Sequence, residues 1–304
     1  MSTPYFSSRY PILAAIMNGG SDLNFAVACH EAGIFPSLLA NCDSDTYSDE
    51  LNELLKEFRR LTGSTDINVG IQPDFLVDPV LVQVIKSNQL SHIEFYDPRP
   101  VKRGRVKDKR GQFGEAKFNE MRQVFIKHLQ DNGVKIMSRS IKPHADFNYA
   151  YCLKGSGAAG FNSDLTTMEL FKQQRALTPN AVLIPYGGVG TASQVREFID
   201  LGAAAVGVGT VLAASVESSL SMETKQAMVR ATKEDIVKMP DTGQNSLIFG
   251  NAIEVIENTD PNRQSSLNAG LQGHGGHMYV GTGIDYVTEI LPVKDIVERL
   301  VSEL

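Results

Sequence analysis

The chain is short of cysteine, of long apolar runs, of low-complexity sequence and of net positive charge, and each shortage removes a class of protein. Its 3 cysteines, Cys29, Cys42 and Cys152, stand far apart with no metal-type spacing. That argues against a disulfide scaffold or a zinc site and fits a reducing compartment, with the thiols structural. The opening MSTPYFSSRYPILAAIMNGG places no basic segment before its apolar run, and the run falls short of the roughly 20 residues that a membrane helix needs. A cytoplasmic protein with no membrane contact is expected. A net charge of -6 offers no general footing for nucleic acid. The spacing of histidines and acidic residues suggests no metal site. What remains, with 42% hydrophobic and 21% charged residues, is the composition of an ordinary globular enzyme.

The 304 residues suit one β/α barrel with insertions, since such a barrel takes roughly 250 residues. Residues 181–210, AVLIPYGGVGTASQVREFIDLGAAAVGVGT, say most about which barrel. Val182-Leu183-Ile184 is too short an apolar run for a helix and ends in Tyr186-Gly187-Gly188, as a buried parallel strand leaving a sheet would. Thr191 is placed to cap a helix whose Val195, Phe198 and Ile199 share one face. A second buried strand then runs into Gly209-Thr210. The loops after the seventh and eighth strands of β/α barrels commonly hold a phosphate, glycine allowing close backbone approach and exposed amides complementing the charge. Gly187, Gly188, Gly209 and Thr210 are therefore the candidate phosphate cradle.

Short apolar strands alternate with helical patterns along the rest of the chain, which predicts an α/β fold, a (β/α)8 or TIM barrel. The expected strands cover residues 12–17, 34–38, 67–71, 92–95, 134–137, 149–153, 182–186 and 204–208. Helices are expected over 51–61, 118–129 and 293–304, the last with Val293, Ile296, Val297, Leu300 and Val301 on one stripe. Residues 1–304 read as a single domain with two insertions on the face where barrel strands end. The first, 97–114, carries Arg99, Lys102, Arg103, Arg105, Lys107, Lys109 and Arg110 against Asp108. The second, 239–282, contains Gly273-His274-Gly275-Gly276-His277, whose flanking glycines suggest a mobile lid.

Laid out in this order, the chain resembles the nitronate monooxygenase family, formerly called 2-nitropropane dioxygenases, whose relatives include flavin-type enoyl-acyl carrier protein reductases. The likeness begins at Pro11 to Gly20, PILAAIMNGG, and Glu31-Ala32-Gly33-Ile34. It continues through Gly155-Ser156-Gly157-Ala158-Ala159-Gly160, the two glycine turns, Glu217-Ser218 and Lys225-Gln226-Ala227. It ends in Gly281-Thr282-Gly283-Ile284 and Ile290-Leu291-Pro292. The resemblance implies FMN, with its phosphate on Gly187, Gly188, Gly209 and Thr210. It also implies contacts from the first turn, Ala15, Met17 and Asn18, and from Gly155 and Gly160. Gln72 offers two donors and an acceptor to the pyrimidine edge of the ring. Family members that oxidise nitronates carry a histidine after the sixth-strand glycine turn, where this chain has Phe161, which cannot accept a proton.

Phe161 then walls a substrate pocket to which Tyr96 and His144, at or after strand ends, are further candidates. If another group replaces the missing base, His274 and His277 are the leading choices, because an imidazole near neutral pKa suits proton transfer. Tyr186 is an alternative proton donor. Against each stands a plain structural reading: solvated loop histidines, a packed tyrosine, and helix or strand positions for His30, His92 and His128. The basic insertion reads either as a solvated loop or as a docking site for NAD(P)H, an acyl carrier or another phosphorylated ligand.

The expected function is an FMN-dependent oxidoreductase that oxidises a small organic substrate, in a specialised biosynthetic pathway, with oxygen or another acceptor. An NAD(P)H-dependent reductase of an enoyl or quinone substrate and a non-catalytic flavin-binding homologue are the alternatives. A barrel of the IMP dehydrogenase type would need a cysteine after Gly155-Ser156-Gly157, and a Schiff-base aldolase has only Lys154 to offer. A homodimer is the assembly considered.

Overall fold

The computed structural model describes residues 5–40, 47–71, 79–96, 115–145, 149–239, 243–249 and 260–304. Eight strands, β1 (Ile12–Ala14), β2 (Ser37–Leu38), β3 (Asn68–Ile71), β4 (His92–Tyr96), β5 (Lys135–Ser140), β6 (Ala150–Lys154), β7 (Val182–Tyr186) and β8 (Val206–Val208), pair in the order β1-β8-β7-β6-β5-β4-β3-β2. All the pairings are parallel. The two ends of the sheet meet where Ala14 N–H donates to the Phe35 carbonyl at 3.0 Å and Phe35 N–H donates to the Ile12 carbonyl at 2.8 Å. That junction brings the sheet nearly to closure as a (β/α)8 barrel. Each strand lies where its apolar run places it, with ends moved by a few residues.

The strands sort their side chains by alternation, as a period of two requires. In β6, Ala150 and Cys152 face the barrel axis with Leu13, Phe35, Met137, Ile184, Tyr186 and Ala205. Tyr151 and Leu153 face outward onto Leu170 and Phe171, which belong to the helix that follows. That outer layer comprises α1 (Leu23–Glu31), α2 (Tyr47–Thr62), α3 (Pro79–Ser87), α4 (Glu115–Asp131), α5 (Thr167–Leu177), α6 (Ala192–Asp200), α7 (Thr210–Ala213), α8 (Met222–Arg230) and α10 (Val293–Leu300), with α9 (Asp260–Leu271) in the second insertion. Thr191 caps α6 as expected, in a reciprocal box with Gln194, and Thr166 does the same for α5 with Glu169. Such boxes satisfy two otherwise orphaned amides and fix where the helix starts. In α10, Val293, Ile296, Val297 and Leu300 are buried.

One crossover departs from the β/α alternation. Only nine residues separate Ser140 from Ala150, fewer than the dozen or so that a helical crossover takes. No helix occurs among the described residues of this connection. It is held instead against α5: His144 N–H donates to Gln174 Oε1 at 3.0 Å, and Gln174 Nε2 donates back to the His144 carbonyl at 2.7 Å.

The second insertion folds as a small cap. Strands β9 (Ile236–Lys238), β10 (Asn245–Phe249) and β11 (Gly276–Tyr279) form an antiparallel sheet in the order β11-β10-β9, with α9 packed on β11. Their approach is backbone to backbone. A Cβ at Gly270 would lie 2.1 Å from the His277 carbonyl oxygen, and one at Gly276, where φ is +82°, would lie 2.0 Å from that of Ser266. Gly270 and, of the glycines flanking the two histidines, Gly276 serve close packing of a helix on a strand. The basic segment 97–114 and Gln72 lie outside the described residues, as does the side chain of Tyr96. No helix among the described residues is long and apolar enough to cross a membrane.

Candidate active site

The carboxyl ends of β1, β6, β7 and β8 converge at one mouth of the barrel, and glycine is what lets them. At Gly187 φ is +114° and at Gly188 +77°, backbone that side chains rarely adopt. A Cβ at Gly187 would lie 2.6 Å from the Ala158 amide nitrogen, so the turns after β7 and β6 touch through bare backbone. At Gly209 a Cβ would stand 3.2 Å from Ala15 Cβ and 3.8 Å from Met17 Sδ, which brings the first turn beside the eighth. Gly187 thus lies against the turn after β6, and Gly209 against Ala15 and Met17 of the first turn. A cradle that any side chain would fill suits a ligand that binds through backbone amides.

The first turn is itself rigidly tied. Ser21 Oγ accepts from the Met17 amide at 2.8 Å and donates to the Ala15 carbonyl at 3.2 Å, so the Met17 N–H is already used within the turn. Asn18 is exposed at the rim.

Gly155 and Gly160 have structural occupations. A Cβ at Gly155 would meet the backbone of Thr167 at 2.3 Å, at the start of α5. Gly160 pairs with Asn245 of β10, each amide donating to the other's carbonyl at 3.1 and 3.0 Å. Asn245 Nδ2 also donates to the carbonyls of Ser156 and Ala158, at 2.8 and 3.0 Å. The cap is thereby sewn to the turn that presents Phe161, which is half-buried. Lys154, inward-facing by alternation at the end of β6, donates to the Ala159 carbonyl of the same turn at 2.7 Å.

The histidines scatter. His277 is fully buried in β11, hydrogen-bonded through Nδ1 to Ser266 Oγ at 3.0 Å and edge-on to Tyr279. His274 is exposed beyond the end of α9, its amide donating to the Ala269 carbonyl at 2.9 Å. His144 lies in the helix layer against α5 and the Tyr151 ring, with Nε2 on Ser140 Oγ. None of the three is brought to the mouth by these contacts. Tyr186 points into the barrel: its ring occupies the space over Gly207, and its hydroxyl donates to Glu94 Oε2 at 3.2 Å. Burial, with the neighbouring Cys152 and Glu94, pushes its phenol well above the ordinary range, so it stays protonated at neutral pH.

Beneath the mouth lies a polar cluster that the sequence reading missed. Glu94 of β4 and Arg139 of β5 form an ion pair with both side chains buried. Asn68 Nδ2 donates to Glu94 Oε2 at 2.7 Å and to Ser37 Oγ at 3.2 Å. Arg139 also reaches the Ile16 carbonyl at 3.5 Å, linking the barrel interior to the first turn. A charged residue at an inward-facing place within an apolar strand was the available signal, since a buried charge must be paired. No group of three or more metal-type side chains is assembled among the described residues.

A family model described as nitronate monooxygenase matches residues 2–303. Among solved structures, FabK from Thermotoga maritima superposes with a TM-score of 0.76 at 23% identity, covering 98% of this chain and 94% of that one. Nitroalkane oxidase from Streptomyces ansochromogenes gives 0.73 at 19% identity, with 98% and 96% covered. The enoyl reductase domain of MlnA from the macrolactin biosynthesis cluster of Bacillus amyloliquefaciens gives 0.69 at 9% identity, with 98% and 95% covered. A search of curated proteins found no match.

Proposed function

The chain belongs to the nitronate monooxygenase family, and from that premise, which makes it a flavin-type oxidoreductase, we propose that it binds FMN and oxidises a small organic substrate with oxygen or another acceptor. The observation that carries this reading is the approach of two positive-φ glycines, Gly187 to the turn at Ala158 and Gly188 to Thr282, whose neighbour Gly281 bonds Thr210, while Gly209 stands beside Ala15 and Met17. The residues fit the group: a phosphate would be held by backbone amides at Gly187, Gly188, Gly209 and Thr210, and the ring would rest towards Ala15 and Met17. When bound, the flavin supplies hydride or single-electron chemistry at its ring. The protein's part is to orient the substrate, exclude water and fix local charge. Phe161 walls the pocket without moving a proton, and Tyr186, held neutral, is a hydrogen-bond donor to Glu94 beneath it.

A reductase reading rests on two observations: Phe161 stands where nitronate-oxidising relatives are expected to have a base, and a domain described as an enoyl reductase shares the fold. Its donor would be NADH or NADPH. Purified protein reconstituted with FMN and titrated anaerobically separates the two. Bleaching by an organic substrate alone supports oxidation, whereas rapid bleaching by either nicotinamide supports reduction. A preparation that takes up no FMN refutes both. FMN retained without turnover of any donor or acceptor would mark a binding homologue.

A further inference from the structure

We propose that Thr282 is a further ligand of the cofactor phosphate, supplied by the segment that leaves the cap and absent from the two glycine turns themselves. This rests on the FMN reading above.

Three strand ends meet at this residue. The Thr282 amide donates to the Gly157 carbonyl, after β6, at 2.9 Å. The adjoining Gly281 amide donates to Thr210 Oγ1, after β8, at 3.0 Å. The Thr282 hydroxyl fills the space that a side chain at Gly188, after β7, would take, since a Cβ there would lie 2.7 Å from Oγ1. The same oxygen stands 2.5 Å from where a Cβ at Gly157 would be. Its acceptor among the described residues, the Gly157 carbonyl, is at 3.5 Å, the outer limit of a hydrogen bond, so its proton is spent there on a weak contact. Thr210 Oγ1, by accepting from Gly281, keeps its own proton to donate. On this assignment the two hydroxyls join the glycine amides around one phosphate, and a phosphate dianion takes several donors at once. Any side chain at 157 or 188 would evict the Thr282 hydroxyl, so the glycines and this threonine form one constellation.

The test uses the full chain and two flavins that differ only in the phosphate. Flavin fluorescence quenching gives dissociation constants for FMN and riboflavin with wild type, Thr282→Val, Thr282→Ser and Thr282→Ala. A hydroxyl bonded to a charged partner predicts an FMN dissociation constant raised about tenfold or more in Thr282→Val and Thr282→Ala. Riboflavin binding stays within about twofold, and Thr282→Ser recovers FMN binding. Unchanged FMN affinity in both hydroxyl-free variants overturns the assignment and leaves the FMN reading standing, as does an equal loss for both flavins. Should wild type bind FMN no tighter than riboflavin, the phosphate cradle itself is refuted. If Thr282→Val does not fold, Thr282→Ala decides.

Discussion

Substituting Gly187 by alanine probes the cradle where its backbone is most exposed to change. The new Cβ would lie 2.6 Å from the Ala158 nitrogen and 2.9 Å from Ala158 Cα and Cβ. Ordinary contact begins near 3.4 Å, so the turns after β6 and β7 must part by about 0.8 Å. A left-handed alanine adds about 1–3 kcal/mol of backbone strain. Gly202→Ala serves as the control, because φ there is +86° and nothing lies within 4 Å of the added carbon. It bears the strain without the collision, so the difference between the two variants isolates the cradle. On the FMN proposal, moving the Gly187 and Gly188 amides by that much removes at least one charge-assisted hydrogen bond to the phosphate, worth about 1.5–3 kcal/mol. The FMN dissociation constant should rise about 10- to 100-fold in Gly187→Ala and hold in Gly202→Ala. Thermal melting of both apoproteins reports the strain, and flavin titration reports the affinity. If Gly187→Ala melts lower but binds FMN like wild type, the phosphate lies elsewhere and the reasoning fails.

Three other outcomes follow from the structure. Burial, reinforced by Lys135 and only partly offset by Asp66, holds the His92 pKa down at about 3 against 6.5. The unfolded chain therefore binds the extra proton between these values, and stability is full above pH 6.5 and falls as the pH drops towards 3, by about 4–5 kcal/mol in all from this group. Urea midpoints from pH 7 to pH 4 should decline less steeply in His92→Phe, and parallel slopes would show that another group is responsible. Breaking the buried pair with Arg139→Met strands Glu94 and should cost about 3–5 kcal/mol, read by chemical denaturation. A loss below 1 kcal/mol would mean that the pair is not isolated from water. Thr191→Ala removes the α6 capping box and should cost about 1 kcal/mol, leaving FMN affinity unchanged if the cap is only structural.

What the amino-acid sequence determined by itself was everything written in local periodicity and local conformation. Short apolar runs alternating with helical patterns located eight strands, Thr191 located a helix start, and Gly187-Gly188 marked a turn, because these signals depend on neighbours a few residues away. What only the tertiary structure decided was which distant groups share a space. His144 sits in the helix layer because the crossover holding it is too short to form a helix, and its spacing after β5 gave no hint of that. The glycines around His274 and His277 read as a mobile lid or as an ordinary loop, and only the structure shows that Gly276 lies where α9 approaches β11. Glu94 and Arg139, 45 residues apart, become partners only when β4 pairs with β5, and Thr282 and Gly157, 125 apart, only when the segment leaving the cap lands on the turn after β6. Strand pairing and packing set those distances, and a one-dimensional pattern carries no term for them.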